Sequence, residues 1–244
     1  MPGYIMHLAA AKLAIDKLGI CDFERTIKIY AGSVIADAMP RQEKCMSHFW
    51  TGDTMKYLKR TPDVDCFMEQ YPRGINDELI AAYYAHLYMD KRFVDDYWGK
   101  YFEFYNDDMD IEEEYDAVTK VRIVDRDIWL DRCDFLSDEN YYGDYTRLLP
   151  YIVHKYELGD IFGAENPQCF GDMIKGLDYS KISEYCGNYS ETLLIKMFEN
   201  VYNVARNGDN SYKNVPELKV FALEELEKLI IDTSEILKKM LSMC

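Results

Sequence analysis

The stretch NDELIAAYYAHLYMDKRFVDDY, residues 76–97, decides how the chain is read. Asn76-Asp77-Glu78 is a helix start, with a short polar side chain placed to accept from the first free backbone N–H groups. Leu79, Tyr83, His86, Asp90, Phe93 and Tyr97 then share one helical face, and the spacing predicts a helix that runs to about Tyr105. His86 and Asp90 stand at i and i+4, which puts their side chains about 6 Å apart on that same apolar face. An ionised carboxylate on a core-facing stripe costs several kcal/mol unless it is paired or holds a cation. A buried His–Asp hydrogen bond tying two helices is the alternative reading of the pair.

Working outward, helical periodicity continues. Leu8, Ala11, Ile15 and Leu18 form a stripe that Gly19 closes as a C-cap, and Asp22 caps a second helix ending before Pro40. Further helices are expected at 117–136, 143–158 (bent by Pro150), 190–206 and 216–241. Ser190 is the expected cap and Gly208 the stop of the fourth, and Pro216 sits near the first turn of the last. The acidic run Asp107–Asp116 reads as a solvated connection or helix start, without the glycine a calcium loop needs. Asp125, Asp127, Asp131 and Asp134 read as a solvated helix face. Strand-like alternation is nearly absent, so the expectation is one all-α multi-helix bundle spanning residues 1–244.

Composition bounds the function. A chain of 244 residues buries roughly 70% of its unfolded surface and needs neither disulfide nor metal merely to fold. The net charge of −16 disfavours a nucleic-acid or anionic membrane surface, though not a local basic pocket. Seven cysteines without a C-x-x-C pair do not make a disulfide framework and fit a reducing compartment. No basic and apolar leader opens the chain, and no window approaches about 18 uninterrupted apolar residues. A cytoplasmic protein is expected. G-x-S-x-G, G-x-G-x-x-G, Walker A and H-E-x-x-H motifs are absent. The 21 tyrosines and 11 phenylalanines read as helix-packing residues rather than a stacking platform for bases.

The chain has four histidines, and three of them neighbour aspartates in an order that suits a metal. His7 lies in the first helix beside Ala11 and Ala14, small residues that admit a close approach. Asp37 ends a helix, where its charge opposes the macrodipole and a bound cation would relieve it. His48 sits among aromatics in Ser47-His48-Phe49-Trp50, which as an isolated feature reads as a packed loop histidine. Three imidazoles and two carboxylates make a sensible zinc ligand set. A carboxylate bridging two metals about 3.5–4 Å apart is the arrangement that clamps an in-line phosphoryl displacement.

The ordered set His7, Gly32-Ser33-x-x-x-Asp37, Ser47-His48-Phe49 and His86-x-x-x-Asp90 resembles the zinc-dependent phospholipase C family, which is related to the zinc-dependent single-strand nucleases. The likeness covers roughly the first hundred residues. It implies an all-helical fold and phosphodiester hydrolysis at a trinuclear zinc cluster. By position, Asp37, His48, His86 and Asp90 would hold one zinc, and His7 with the shared Asp90 a second. The family completes that second site with its mature N-terminal amine, for which Pro2 after loss of Met1 is the counterpart. The third site departs from the pattern: Asp96 stands where the family has a histidine, and His154, the remaining histidine, has Leu158 four residues on. Glu157, Asp160 and Asp144 are the nearby carboxylates. Such an oxygen-rich site would drift toward manganese or magnesium.

The expectation is therefore a phosphoester hydrolase with one to three zinc ions and a metal-bridging hydroxide as nucleophile, oriented or deprotonated by Asp37 or Asp96. Its substrate would be a small phosphoester or a phospholipid. The alternative is a helical metal-binding protein of the same descent that has lost turnover.

Overall fold

A computed structural model describes residues 3–50, 56–72, 77–163, 167–207 and 214–244. The expected roles of Pro2, Asn76 and Gly208 lie outside the described residues.

The chain is mainly helical. Helix α1 (Tyr4–Leu18) is stopped by Gly19 in the left-handed conformation, φ 63°, and α2 (Phe23–Val34) is capped by the Asp22 carboxylate accepting from the Arg25 N–H. A 3-10 turn, Ile35–Ala38, follows, then the short α3 (Lys44–Ser47) and α4 (Val64–Gln70). Helix α5 (Glu78–Arg92) is capped by Asp77, which accepts from Leu79 and Ile80 N–H groups. It continues as a π-helical turn, Phe93–Trp98, and the short α6 (Gly99–Tyr101).

From residue 102 the fold departs from the helical expectation. β1 (Phe102–Tyr105), β2 (Lys120–Ile123) and β3 (Ile128–Asp131) form an antiparallel sheet in the order β1-β2-β3. Phe102 pairs with Ile123 and Val121 with Leu130. The helix expected at 117–136 is instead a hairpin followed by α7 (Arg132–Phe135). Asp125 and Asp127 lie in its turn, with Asp127 at φ 52°, and Asp131 pairs with Lys120 across the strands. The physical reason is short-range alternation: Phe102, Phe104, Val121 and Ile123 are buried, every second residue. Phe102 and Phe104 pack into an aromatic cluster with Phe135 and Trp98. The acidic run is the connection from β1 to β2.

The second half holds α8 (Tyr141–Lys155), which runs through Pro150, a 3-10 turn at Leu158–Phe162, α9 (Pro167–Lys175), another at Ser180–Ile182, and α10 (Ser183–Cys186). Next are α11 (Glu191–Arg206), capped by the Ser190 hydroxyl, and α12 (Leu223–Leu241). Pro216 lies before α12, not in its first turn. Residues 218–221 are held by side chains: Arg126 donates to the carbonyls of Leu218, Lys219 and Phe221, and Asp144 accepts from three backbone amides, those of residues 219–221.

α1, α2, α5 and α12 pack together as the central layer, with α8, α9 and α11 outside it. The approach of α2 to α5 explains one glycine. A Cβ on Gly32 would stand 2.3 Å from the Leu79 carbonyl oxygen and 2.9 Å from the Ala82 methyl. Only hydrogen fits, and the two helices meet backbone to backbone. Among the described residues no helix is long and apolar enough to cross a membrane.

Candidate metal centre

The close crossing of α2 and α5 places the Ser33 carbonyl beside His86, and five candidate ligands gather there. His7 comes from α1, Asp37 from the 3-10 turn after α2, His48 from the end of α3, and His86 and Asp90 from one face of α5. His7, His48, His86 and Asp90 are at most 2% exposed, while the Asp37 side chain keeps 11%.

Asp90 is the centre of the group. One carboxylate oxygen lies 3.3 Å from His7 Nε2; the other lies 3.5 Å from His48 Nε2 and 3.6 Å from His86 Nε2. Among the described residues neither oxygen accepts an aligned hydrogen bond, and neither ring nitrogen of His7 has a hydrogen-bond partner. The His7 and His86 rings are stacked, 3.9 Å between centroids. Asp37 Oδ1 is 3.7 Å from His48 Nε2 and 3.1 Å from Lys44 Nζ.

Two of the imidazoles are oriented by backbone. His86 Nδ1 is 2.9 Å from the Ser33 carbonyl, which can only accept, so the proton sits on Nδ1 and the Nε2 lone pair faces inward. His48 Nδ1 meets the Lys44 carbonyl at 3.0 Å, while the neighbouring Ser47 hydroxyl donates to the Ala36 carbonyl. His48 Nε2 then also faces inward, 3.3 Å from His86 Nε2. Two lone pairs and a carboxylate meeting at such distances repel one another unless a cation lies among them. Outer-shell carbonyls that fix ligand tautomers in this way are the usual support of a metal-binding histidine.

The charge states agree with that donor role. Burial, with His7 next to it, drives the His86 imidazole down to a pKa of about 3, so it is neutral. Burial pushes Asp90 upward, but His86, His7 and His48 around it outweigh burial and hold it below the usual carboxylate range. Asp37 is likewise pushed up by burial and pulled well below its ordinary value, by the Lys44 ammonium above all.

Ligand atoms of His7, His86 and Asp90 lie within 4.8 Å of one another, as do those of Asp37, His48 and His86. The other two residues expected at the site are elsewhere. Asp96 is half-exposed on the π-helical turn and paired with Arg92. The π-helical turn buries Phe93, Val94, Tyr97 and Trp98 and leaves Asp95 and Asp96 on its exposed side. His154 lies in the last turn of α8, outside both groups. Asp144 is fully buried, but its oxygens are occupied by the amides of residues 219–221 and by Arg147. Asp96, His154 and Asp144 are therefore not brought together with the cluster.

Sequence reasoning missed Lys44, Arg41, Arg60 and Trp50. Trp50 stacks on His48 at 4.9 Å, and all four line a cleft of about 520 Å³ that Asp37 shares with the buried cluster. The one available signal was a lysine four residues before a histidine in a short helix. Comparison of the chain with protein-family models, with curated proteins and with solved structures finds no match.

Proposed function

We propose that the cluster is a divalent-metal centre, zinc by its donor set, and that the chain is a phosphoester hydrolase akin to the zinc-dependent phospholipase C family. The observation that carries the metal is Asp90: a fully buried carboxylate with no aligned hydrogen bond among the described residues, ringed by three imidazoles. Leaving such a group uncompensated costs several kcal/mol. Asp37, His48, His86 and Asp90 would hold one ion, and His7 with Asp90 a second. Mixed nitrogen and oxygen ligands suit zinc, with manganese the alternative where carboxylates dominate.

A bound ion supplies Lewis-acid polarisation of a phosphoryl oxygen and brings the pKa of water to about 7. The chain's own groups do the rest. Asp37, ionised beside Lys44 at the edge of the cleft, orients a water molecule and takes its proton. Lys44 offsets charge that grows on the phosphoryl oxygens. Phosphoester chemistry rests on the family resemblance of the ordered ligand set. The same reading places the protein in a reducing, cytoplasmic compartment, in keeping with seven cysteines that form no disulfide.

The test is metal content per chain on protein purified without chelator, joined to turnover of bis(p-nitrophenyl) phosphate. One or two equivalents of zinc or manganese, lost in the His86→Ala, Asp90→Ala double variant, is the expected result. A content near zero that does not change on incubation with metal ends the proposal. The separation of Asp96 and His154 from the cluster favours a second reading, a metal-binding protein without turnover. Hydrolysis that disappears with chelator and with His48→Ala rejects it.

A further inference from the structure

Acidic residues outnumber basic ones 44 to 28 in this chain, yet the cleft beside Asp37 reverses the balance. Its walls among the described residues carry Arg41, Lys44 and Arg60 against the single carboxylate of Asp37. Lys44 is committed to Asp37, at 3.1 Å. Arg41 is exposed and Arg60 half-buried, and neither has a carboxylate partner among the described residues. Arg60 is held in place: its Nε donates to the Tyr57 carbonyl, and its guanidinium lies 5.6 Å from the centroid of the Trp50 ring, which stacks in turn on His48. Arg60 is thus fixed one ring away from a candidate metal ligand. The volume, about 520 Å³, suits a small molecule and not a long polymer strand.

We infer that the cleft is a second-anion subsite, and that the ligand is a small phosphoester bearing another phosphate, which Arg41 and Arg60 hold beside the scissile group. The scissile group rests on the phosphoester reading above; the subsite does not, because its cations act without metal. A diester with one charge would satisfy the centre and leave two guanidinium groups unmatched in a partly desolvated cleft. A second phosphate matches them with charge-assisted, bidentate hydrogen bonds.

The experiment is calorimetric titration of metal-free protein with pyrophosphate and with inorganic phosphate. Pyrophosphate should bind about tenfold or more tightly than phosphate, and an Arg41→Gln, Arg60→Gln double variant should lose at least about tenfold of that affinity. Both positions are solvent-accessible, so the variant should fold, and Lys100→Gln on a remote surface should change nothing. Co-sedimentation with vesicles of phosphatidylcholine containing phosphatidic acid separates the sources. Pelleting that the double variant abolishes assigns the phosphate to a lipid headgroup, and soluble binding without pelleting assigns it to a free metabolite. Equal pyrophosphate affinity in wild type and double variant, or none in either, overturns the subsite. Arginine-dependent pyrophosphate binding in a protein that takes up no metal would sink the hydrolase reading and leave the subsite standing.

Discussion

Asp90 shows what one residue reveals and conceals. Its place on an apolar stripe, four residues after a histidine, was visible in the sequence, and so was the scarcity of histidines that made His7 and His48 worth joining to it. Their juxtaposition follows from helix faces and from the Gly32 crossing. What could not be read was which other carboxylates are already spoken for: Asp96 is taken by Arg92 on the surface and Asp144 by three amides from a segment about 75 residues away. Those pairings depend on tertiary neighbours, which spacing along one chain does not encode. Asp90→Asn trades an ionised carboxylate that its surroundings favour for a neutral amide, so it is expected to destabilise metal-free protein by about 1 kcal/mol or more in urea denaturation and to lower zinc content sharply. Loss of stability with unchanged metal content would contradict it. The same logic gives a pH dependence. With His86 near 3 when folded and about 6.5 when unfolded, only the unfolded state binds this proton between those values. Its contribution is full above about pH 6.5 and falls as pH drops toward 3, by up to about 1.4 kcal/mol per pH unit. Asp37 and Asp90, with lowered folded pKa values, add their own loss only as pH falls below the ordinary carboxylate range. Urea midpoints of metal-free protein between pH 7.5 and 4.5 should decline, and a flat profile would exclude a neutral buried His86.

Elements were legible where a local signal marks their ends. Gly19, Asp22, Asp77 and Ser190 all cap helices because each satisfies backbone groups within its own turn. The small sheet was not legible. Each strand has four residues, which give too little alternation to compete with the helical pattern of their surroundings, and pairing partners some twenty residues apart settle the outcome. The start of α12 was misplaced for a related reason: the segment before it is fixed by Asp144 and Arg126 rather than by its own caps. Gly32 is the element-scale residue to test. Alanine there must push Leu79 backbone and Ala82 away, since nothing flexible gives. Gly32→Ala should cost about 1–3 kcal/mol in stability. It should also draw the Ser33 carbonyl off His86 and weaken zinc binding about tenfold or more, as loss of an outer-shell partner does. Gly99→Ala, where an added Cβ meets nothing within 4 Å on helical backbone, is the control and should cost no stability and leave zinc binding unchanged. A tolerated Gly32→Ala would mean that α2 and α5 can part without disturbing the centre.

At the scale of the whole molecule the cluster joins four segments that are otherwise held by apolar packing: α1, the turn after α2, the end of α3, and α5. α12 closes over α1 and α5, so the last helix of the chain rests on the first layer that the cluster ties together. A ligand that binds only when these segments are assembled adds its binding free energy to folding. Zinc at about 100 times its dissociation constant should contribute about 2.7 kcal/mol. For a chain of this size that corresponds to a rise of very roughly 5–10 °C in Tm, from about 2–4 °C per kcal/mol. The rise should track free zinc logarithmically, reverse with chelator, and vanish in Asp90→Asn. Magnesium, which prefers an octahedral shell of oxygens, should produce little shift at the same concentration. The response to zinc distinguishes a metal centre from a polar core: if the cluster merely knits helices together, zinc moves neither protein.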